Sequence, residues 1–281
     1  MAILPLRKLA ESPIEPLKRA FLDEIEDALD SSADRNDLCR KVLCSLLYPE
    51  YADAWETAVE DESLPSATRL ALLALDPRNI TLEPEYYAEC DGPAFALTKP
   101  LLWLWYSFDR TPLGGQNVDL GIRLRRVLAQ RIFRRCGENF KAFQNVELSF
   151  GYNLEVGDNV VIHRNVLLDD RGGIVLGDRV SISDYANIYS HTHSIVDQRD
   201  VTDAVTRIDN DVRITYHATV LAGVHVGENG MVGAGAIATK DVRPYHVHVG
   251  IPAKSIRVKP NAPPDVFHLT PIKPPKPEQP L

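Results

Sequence analysis

No stretch of this 281-residue sequence is apolar for long enough to cross a bilayer. The run Leu101 to Phe108 (LLWLWYSF) falls far short of the ~20 residues a spanning helix needs. The opening MAILPLRKLAESP likewise has too short an apolar run for a secretion signal, so the expected compartment is the cytoplasm. Cysteine is sparse. Cys39, Cys44, Cys90 and Cys136 show neither metal-ligand nor disulfide-framework spacing, which suits unpaired thiols in a reducing compartment. A basic excess is also missing: the formal net charge of −8 argues against a nucleic-acid partner, which would need a cationic surface. Bulk disorder is excluded by a chain that is 44% apolar and 25% charged, and its length allows two cores.

What is present is a beat of six. From Ile208 onward, Ile208, Ile214, Val220, Val226, Val232 and Ala238 fall at one phase, and Val212, Ala218, Val224, Gly230, Ala236 and Val242 follow four residues later. Upstream, Val156, Ile162 and Leu168 keep the beat, an eight-residue step intervenes, and Leu176, Ile182 and Ile188 resume it. Six matches neither a helix nor a simple strand, but it suits a chain that turns a corner every six residues. Three sides close one coil, with the aliphatic residue inside, and each coil stacks on the last. Gly157, Gly177, Gly227 and Gly233, each just after an aliphatic, are expected to relieve the turns. The beat breaks at Ser190-His191-Thr192-His193 and restarts at Ile208, so a loop of about fourteen residues is let out of a regular rod, where function tends to sit.

Ahead of the rod the pattern is helical. Helices are expected over Pro16–Leu29, Arg35–Leu47 and Ser66–Leu75, with Ser12 and Ser66 as N-caps and Pro49 and Pro77 as stops. These segments hold no catalytic constellation. Residues 79–115 read as loose, and Asn117–Arg135 as an amphipathic helix with Leu120, Leu124, Val127, Leu128 and Ile132 on its apolar stripe and arginines on the other faces. That helix either caps the open end of the rod or, with Trp103 and Trp105, touches anionic lipid. The end of the chain, Pro260–Leu281, has eight prolines and no period, and is expected to be extended or disordered.

The beat, the ejected loop and the closing run VGAGAIATKDVRPYHVHVGIPAKSIR together resemble the hexapeptide-repeat acyltransferases, nearest the maltose/galactoside and polysaccharide O-acetyltransferases. The resemblance covers about residues 138–258. It implies a mainly β fold, a left-handed parallel β-helix preceded by an α-helical N-terminal region (1–137) and followed by a proline-rich tail (259–281). It implies acetyl-CoA as acyl donor, a hydroxyl of a sugar or polysaccharide precursor as acceptor, a homotrimer, and no metal.

The family's catalytic histidine lies five residues beyond the aliphatic position before the loop, which here is His193, counted from Ile188. An acceptor hydroxyl is a weak nucleophile at neutral pH, and a neutral imidazole can take its proton as it attacks the thioester. His191 then either orients or assists that base or is a polar corner residue. The resemblance places Asp170, Asn165 and His163 at the acceptor, with His163 standing where the galactoside enzymes have Asn and Arg171 where they have an acid. Arg164 or Arg171 would then face a larger or anionic sugar. For the coenzyme it implies Tyr216, Ala234, Thr239, Lys240, Lys254 and Arg257. Two other classes use such a rod: a γ-carbonic-anhydrase-like zinc enzyme drawing on His191, His193, His217 and His225, and a non-catalytic scaffold.

Overall fold

A computed structural model describes residues 14–31, 34–197 and 199–268. The chain builds a helical block, then a three-sided parallel β-rod, matching a left-handed β-helix. The helices are α1 (Glu15–Asp30), α2 (Arg35–Leu47), α3 (Trp55–Glu60), α4 (Ser66–Leu73), α5 (Tyr86–Glu89), α6 (Gly92–Asp109) and α7 (Val118–Ile132), and a short α8 (Pro264–His268) follows the rod. Ser12 and the tail beyond residue 268 lie outside the described residues. No helix among the described residues is long and apolar enough to cross a membrane.

The six-residue beat becomes three faces. Face one holds Arg135–Cys136, Leu154–Val156, Ile174–Leu176, Thr206–Ile208 and His225–Val226. Face two holds Lys141–Ala142, Val161–Ile162, Ser181–Ile182, Arg213–Ile214, Met231–Val232 and His246–Val249, closed by the antiparallel Lys254–Val258. Face three holds Glu147–Leu148, Leu167–Asp169, Asn187–Tyr189, Thr219–Val220 and Ile237–Ala238. Register follows the beat. Val156 pairs with Leu176, Leu176 with Ile208 and Ile208 with Val226, and the parallel columns Ile162–Ile182–Ile214–Val232 and Leu168–Ile188–Val220–Ala238 run down the other faces. All are at most 2% exposed, so the rod's core is a stack of aliphatic triangles.

The glycines after the aliphatics do not make the turns. The left-handed corner conformation is taken by Asn159, Asn165, Arg179, Tyr185, Asp211 and His217, each three residues past an inward aliphatic, with φ between 55° and 61°. Asn and Asp tolerate this region through local hydrogen bonds. Gly157 and Gly177 instead permit close stacking: a Cβ on Gly157 would lie 2.4 Å from Asp178 Oδ1, and one on Gly177 would lie 2.5 Å from Asn210 Oδ1. Coil-to-coil contact, not turn geometry, excludes a side chain there.

Residues 79–115 are not loose throughout, because α6 occupies most of their second half. Asp91 caps it, accepting from the Ala94 amide at 3.0 Å, and Pro93 sits in the first turn where no donor is lost. Phe95, Leu101, Leu102, Leu104, Trp105 and Phe108 are all buried, so the helix is enclosed on several sides and shows no single polar face. α4 begins at Ser66 itself, with Pro65 in the cap position and no side-chain cap.

The arginines of α7 are not a lipid-facing surface. Arg125 is 1% exposed and its Nε and Nη2 donate to Asp109 Oδ1 at 2.8 and 2.5 Å, while Nη1 and Nη2 donate to the Ala142 and Gly114 carbonyls at 3.0 and 2.9 Å. The other Asp109 oxygen accepts the Asn145 amide at 2.7 Å. Arg126 donates to the Phe140 carbonyl at 2.8 Å, Arg123 pairs with Glu15 at 2.9 Å, and Arg131 pairs with Asp30. Trp105 is fully buried and Trp103 donates to the Ala74 carbonyl. Thus α7 packs over the first coil and covers its open edge.

The Arg125–Asp109 pair joins α6, α7 and the first coil, with both side chains about 2% exposed. Arg125→Met is expected to cost about 3–5 kcal/mol, because it strands a buried carboxylate, while adding Asp109→Leu should recover most of that loss. Urea denaturation followed by circular dichroism checks this; a single-variant loss under about 1 kcal/mol would contradict it.

Candidate active site

The edge between faces three and one is the irregular one. Its corner takes two extra residues in the first two coils, after Leu148 and after Leu168, and in the third it lets out residues 190–205. That segment is a hairpin, His191–His193 antiparallel to Val201–Asp203, with His191 opposite Asp203 and His193 opposite Val201. Its base is stapled to the rod. Ala204 N–H donates to the Ser190 carbonyl at 2.8 Å, Ser190 Oγ donates to the Asp169 carbonyl at 2.5 Å and accepts the Gly172 amide at 2.9 Å, and Thr206 Oγ1 donates to the Tyr189 carbonyl at 2.6 Å. Beyond this base the strands leave the rod, and the tip residues Ile195 and Val196 are fully exposed.

His193 is exposed on the outer end of its strand, and His191 is largely buried beneath it. The two rings meet edge to face with centroids 5.2 Å apart. His191 Nδ1 faces Asp169 Oδ2, and its Nε2 faces Arg171 Nη2. Asp169 also accepts from Ser149 Oγ at 2.8 Å, which lies 3.2 Å from the Tyr86 hydroxyl of α5. Arg171, read as facing a sugar, is only 8% exposed in its side chain and pairs with Glu85 at the N-cap of α5 and with Glu89 in its last turn at 3.1 and 3.2 Å. Asp170 does not face an open cleft either. It is fully buried, and its oxygens accept the Phe150 amide at 2.8 Å and the Asn153 amide at 3.2 Å, bracing the widened corner below.

The other expected site residues gather elsewhere. His163, Asn165, Tyr216 and Ala234 lie on the edge between faces two and three, and Lys254 lies at its far end, after the loop from Val249. His163 is stacked on Phe143 with centroids 5.0 Å apart and planes 5° apart, and burial pushes its pKa down, leaving a neutral ring. Asn165 takes a left-handed corner and accepts from Asn145 Nδ2 at 3.0 Å. Arg164 lies 3.7 Å from Asp184 on the same edge. Tyr216 is 50% exposed and meets the rings of Tyr185 and His217 edge on, at 5.8 and 4.2 Å. Ala234 is exposed. Thr239 and Lys240 are on the His193 edge, and Arg257 is on the closing strand of face two.

One chain therefore splits the expected constellation between two edges. A side of the prism is about six residues of extended chain, on the order of 15–20 Å, too far for His193 to reach its own Ala234 edge. Between the helical block and face three lies a hollow of about 420 Å³, lined by Tyr86, Tyr106, Arg110, Asn145, Asn165 and Leu167. The four histidines weighed for zinc also separate: His217 is on the Tyr216 edge, and His225 pairs with Asp209 at 2.8 Å. Among the described residues no group of three or more His, Cys, Asp or Glu could hold a metal ion.

Sequence reasoning missed Asp169, Ser149, Tyr86, Glu85 and Glu89. Asp169 was legible in principle, since it follows the inward Leu168 and so must project from face three. The α5 residues carried no signal, because the Arg171–Glu85 contact spans 86 positions.

No family model matches the chain. The galactoside O-acetyltransferase of Escherichia coli (strain K12) is 30% identical over 140 residues, which is 48% of this chain and 69% of that protein. Among solved structures, the maltose O-acetyltransferase of Clostridium difficile 630 superposes with a TM-score of 0.52 at 24% identity over 63% of this chain and 89% of its own. The hexapeptide-repeat acetyltransferase of Vibrio cholerae O1 biovar eltor, solved with acetyl coenzyme A, gives 0.52 at 22% identity over 59% and 87%. At these identities the two structures speak to the fold.

Burial pushes the Asp170 carboxyl up to about 6 in spite of its amide partners. A carboxyl raised from its ordinary value near 4 binds its proton more tightly in the folded state, so its contribution is full below about pH 4 and is lost as pH rises to about 6. From pH 4 to 7 this group is expected to lower stability by about 3 kcal/mol. In Asp170→Asn that slope should vanish from urea midpoints measured across the window, although one amide then faces a donor and absolute stability falls. An unchanged pH slope would contradict the assignment.

Proposed function

The chain belongs to the hexapeptide-repeat O-acetyltransferases represented by the galactoside enzyme, and on that footing we propose that it moves an acetyl group from acetyl-CoA to a hydroxyl of a sugar or polysaccharide precursor, as a homotrimer with His193 as general base. The observation that carries this reading is the hairpin, which holds an exposed His193 at the edge where the coil opens. The split of the site residues between two edges supports the trimer: the His193 edge of one copy faces the Tyr216–Ala234 edge of the next.

In the proposed reaction the His193 imidazole takes the acceptor's hydroxyl proton as the oxygen forms a bond to the thioester carbon. Backbone N–H groups at the corner stabilise the oxyanion. Collapse of the tetrahedral intermediate breaks the C–S bond, and the imidazolium returns its proton to the thiolate. Exposed Ala234 lets the pantetheine arm lie against the backbone, with Tyr216 and Thr239 alongside, and Lys240, Lys254 and Arg257 meet the phosphates. On the acceptor side, neutral His163 offers one donor and one acceptor, the same pair that an Asn amide presents, and Asn165 opens onto the hollow beside Tyr86. Asp170 holds the corner rather than the sugar.

The proposed division is a helical region (1–137), a transferase rod (138–258) and a proline-rich tail (259–281). A cytoplasmic site of action fits the four free thiols, of which Cys39 and Cys44 are buried. His193→Ala is expected to lower acetyl transfer by at least ~10²-fold, within the range of general-base losses, while thermal unfolding stays within a few degrees of the parent. Near-normal turnover by that variant would refute the assignment.

A further inference from the structure

Resting on the reading of His193 as base, we propose that α5 of the helical block is part of the catalytic apparatus: Glu85 and Glu89 hold Arg171 against His191, and Arg171 thereby acts as a positioning residue that fixes His191 as a neutral, Nδ1-protonated imidazole beneath His193.

The argument begins with donor and acceptor capacity. A guanidinium carries only donors, so the His191 Nε2 that faces Arg171 Nη2 must present its lone pair. The Nδ1 is buried, makes no well-aligned hydrogen bond and lies against the Asp169 carboxylate, which carries only acceptors, so the proton belongs on Nδ1. The reverse tautomer would set an N–H against the guanidinium and a lone pair against the carboxylate. The imidazolium would set a cation against a cation. His191 is thus held neutral, with its basic nitrogen occupied, and cannot serve as the base.

Arg171 keeps this post only because it is itself held. Its side chain is 8% exposed, its Nη1 is 3.1 Å from Glu85 and 3.2 Å from Glu89, its Nε is 3.3 Å from Asp169 Oδ1, and its guanidinium carbon lies 5.6 Å from the Tyr86 ring centre. Two of those four partners, Tyr86 and Glu89, belong to α5 and a third, Glu85, is its N-cap, none of which the rod contains. The charged and titratable groups around His191 are therefore Asp169, Arg171, Glu85 and Glu89, with Asp203 across the hairpin and Tyr189 and His193 beside the ring. Of these, only Arg171 opposes protonation from the Nε2 side. Without it, the four carboxylates would favour an imidazolium against the ring of His193, and a neighbouring cation makes His193 a weaker base.

The test uses the full chain, labelled with ¹⁵N-histidine, and Arg171→Met and Glu85→Gln/Glu89→Gln variants. Long-range ¹H–¹⁵N spectra over pH 5–8 report tautomer and titration, with His191 assigned by its absence from His191→Gln. In the parent, His191 should show a protonated Nδ1 and a lone pair on Nε2. In Arg171→Met the Nδ1-only tautomer should give way to a ring protonated at both nitrogens within that range, and the double Gln variant should fall between. Kinetics with acetyl-CoA and methyl β-galactoside as probe acceptor should show kcat down about tenfold, KM for acetyl-CoA within about twofold, and a second ionisation on the acid limb in both variants. Loss of folded protein alone would scale kcat without adding an ionisation. A parent His191 that carries its proton on Nε2 overturns the proposal, as does a double Gln variant with parental spectra and pH profile. If the parent transfers no acetyl group yet shows the Nδ1 tautomer, the reaction assigned above fails while the clamp stands.

Discussion

An inward aliphatic must land on the aliphatic of the coil below, or the rod has no core. That constraint sets Val156 under Leu176, Leu176 under Ile208 and Ile208 under Val226, whatever length of chain runs between them. The intervals are 20, 32 and 18 residues, yet the register is unbroken. Extra residues have nowhere to go except outward at a corner. A hairpin of such length can therefore be grafted on one edge at no cost to the stack, and a histidine on it inherits the rigidity of the coil that ejects it.

The same geometry explains why the corner that ejects the hairpin is rich in buried polar groups. Widening a corner frees backbone amides from the ladder, and each buried donor needs a partner. Asp170 supplies acceptors for Phe150 and Asn153, and Ser190 bridges the Asp169 carbonyl and the Gly172 amide. The helical block completes the enclosure. Its α5 meets Arg171 and Ser149 at this edge, while α6 and α7 close the first coil through the buried Arg125–Asp109 pair. Helices that carry no catalytic motif thus stand directly behind the hairpin.

Much of this was legible. Every inward residue of the four coils from Val156 to Ala238 follows from the beat, and the position of the hairpin follows from its interruption at Ser190. α2 was bounded correctly from apolar spacing and the Pro49 stop, while its cap, Asp34, which accepts the Asn36 amide, went unread. α6 was not, because a helix buried on several sides has no polar stripe to mark its period. Arg125 misled for the opposite reason: an arginine on an amphipathic helix reads as solvated, and its carboxylate partner lies sixteen residues away in another helix. Asp170 and Arg171 carried chemistry-bearing side chains, yet burial turned one into a brace and joined the other to α5, contacts that only folding creates.

The account rests on a site assembled from two copies, with His193 from one and the Ala234 edge from the next. Subunit mixing tests that directly. His193→Ala chains lack the base, and Ala234→Trp chains have the coenzyme groove blocked, so each homotrimer should be inactive. Unfolding and refolding the two together should restore acetyl transfer, because a mixed trimer contains an interface where an intact His193 meets an intact Ala234. If the mixture stays as inactive as its parents while forming mixed trimers of normal mass, the site lies within one chain and the account fails.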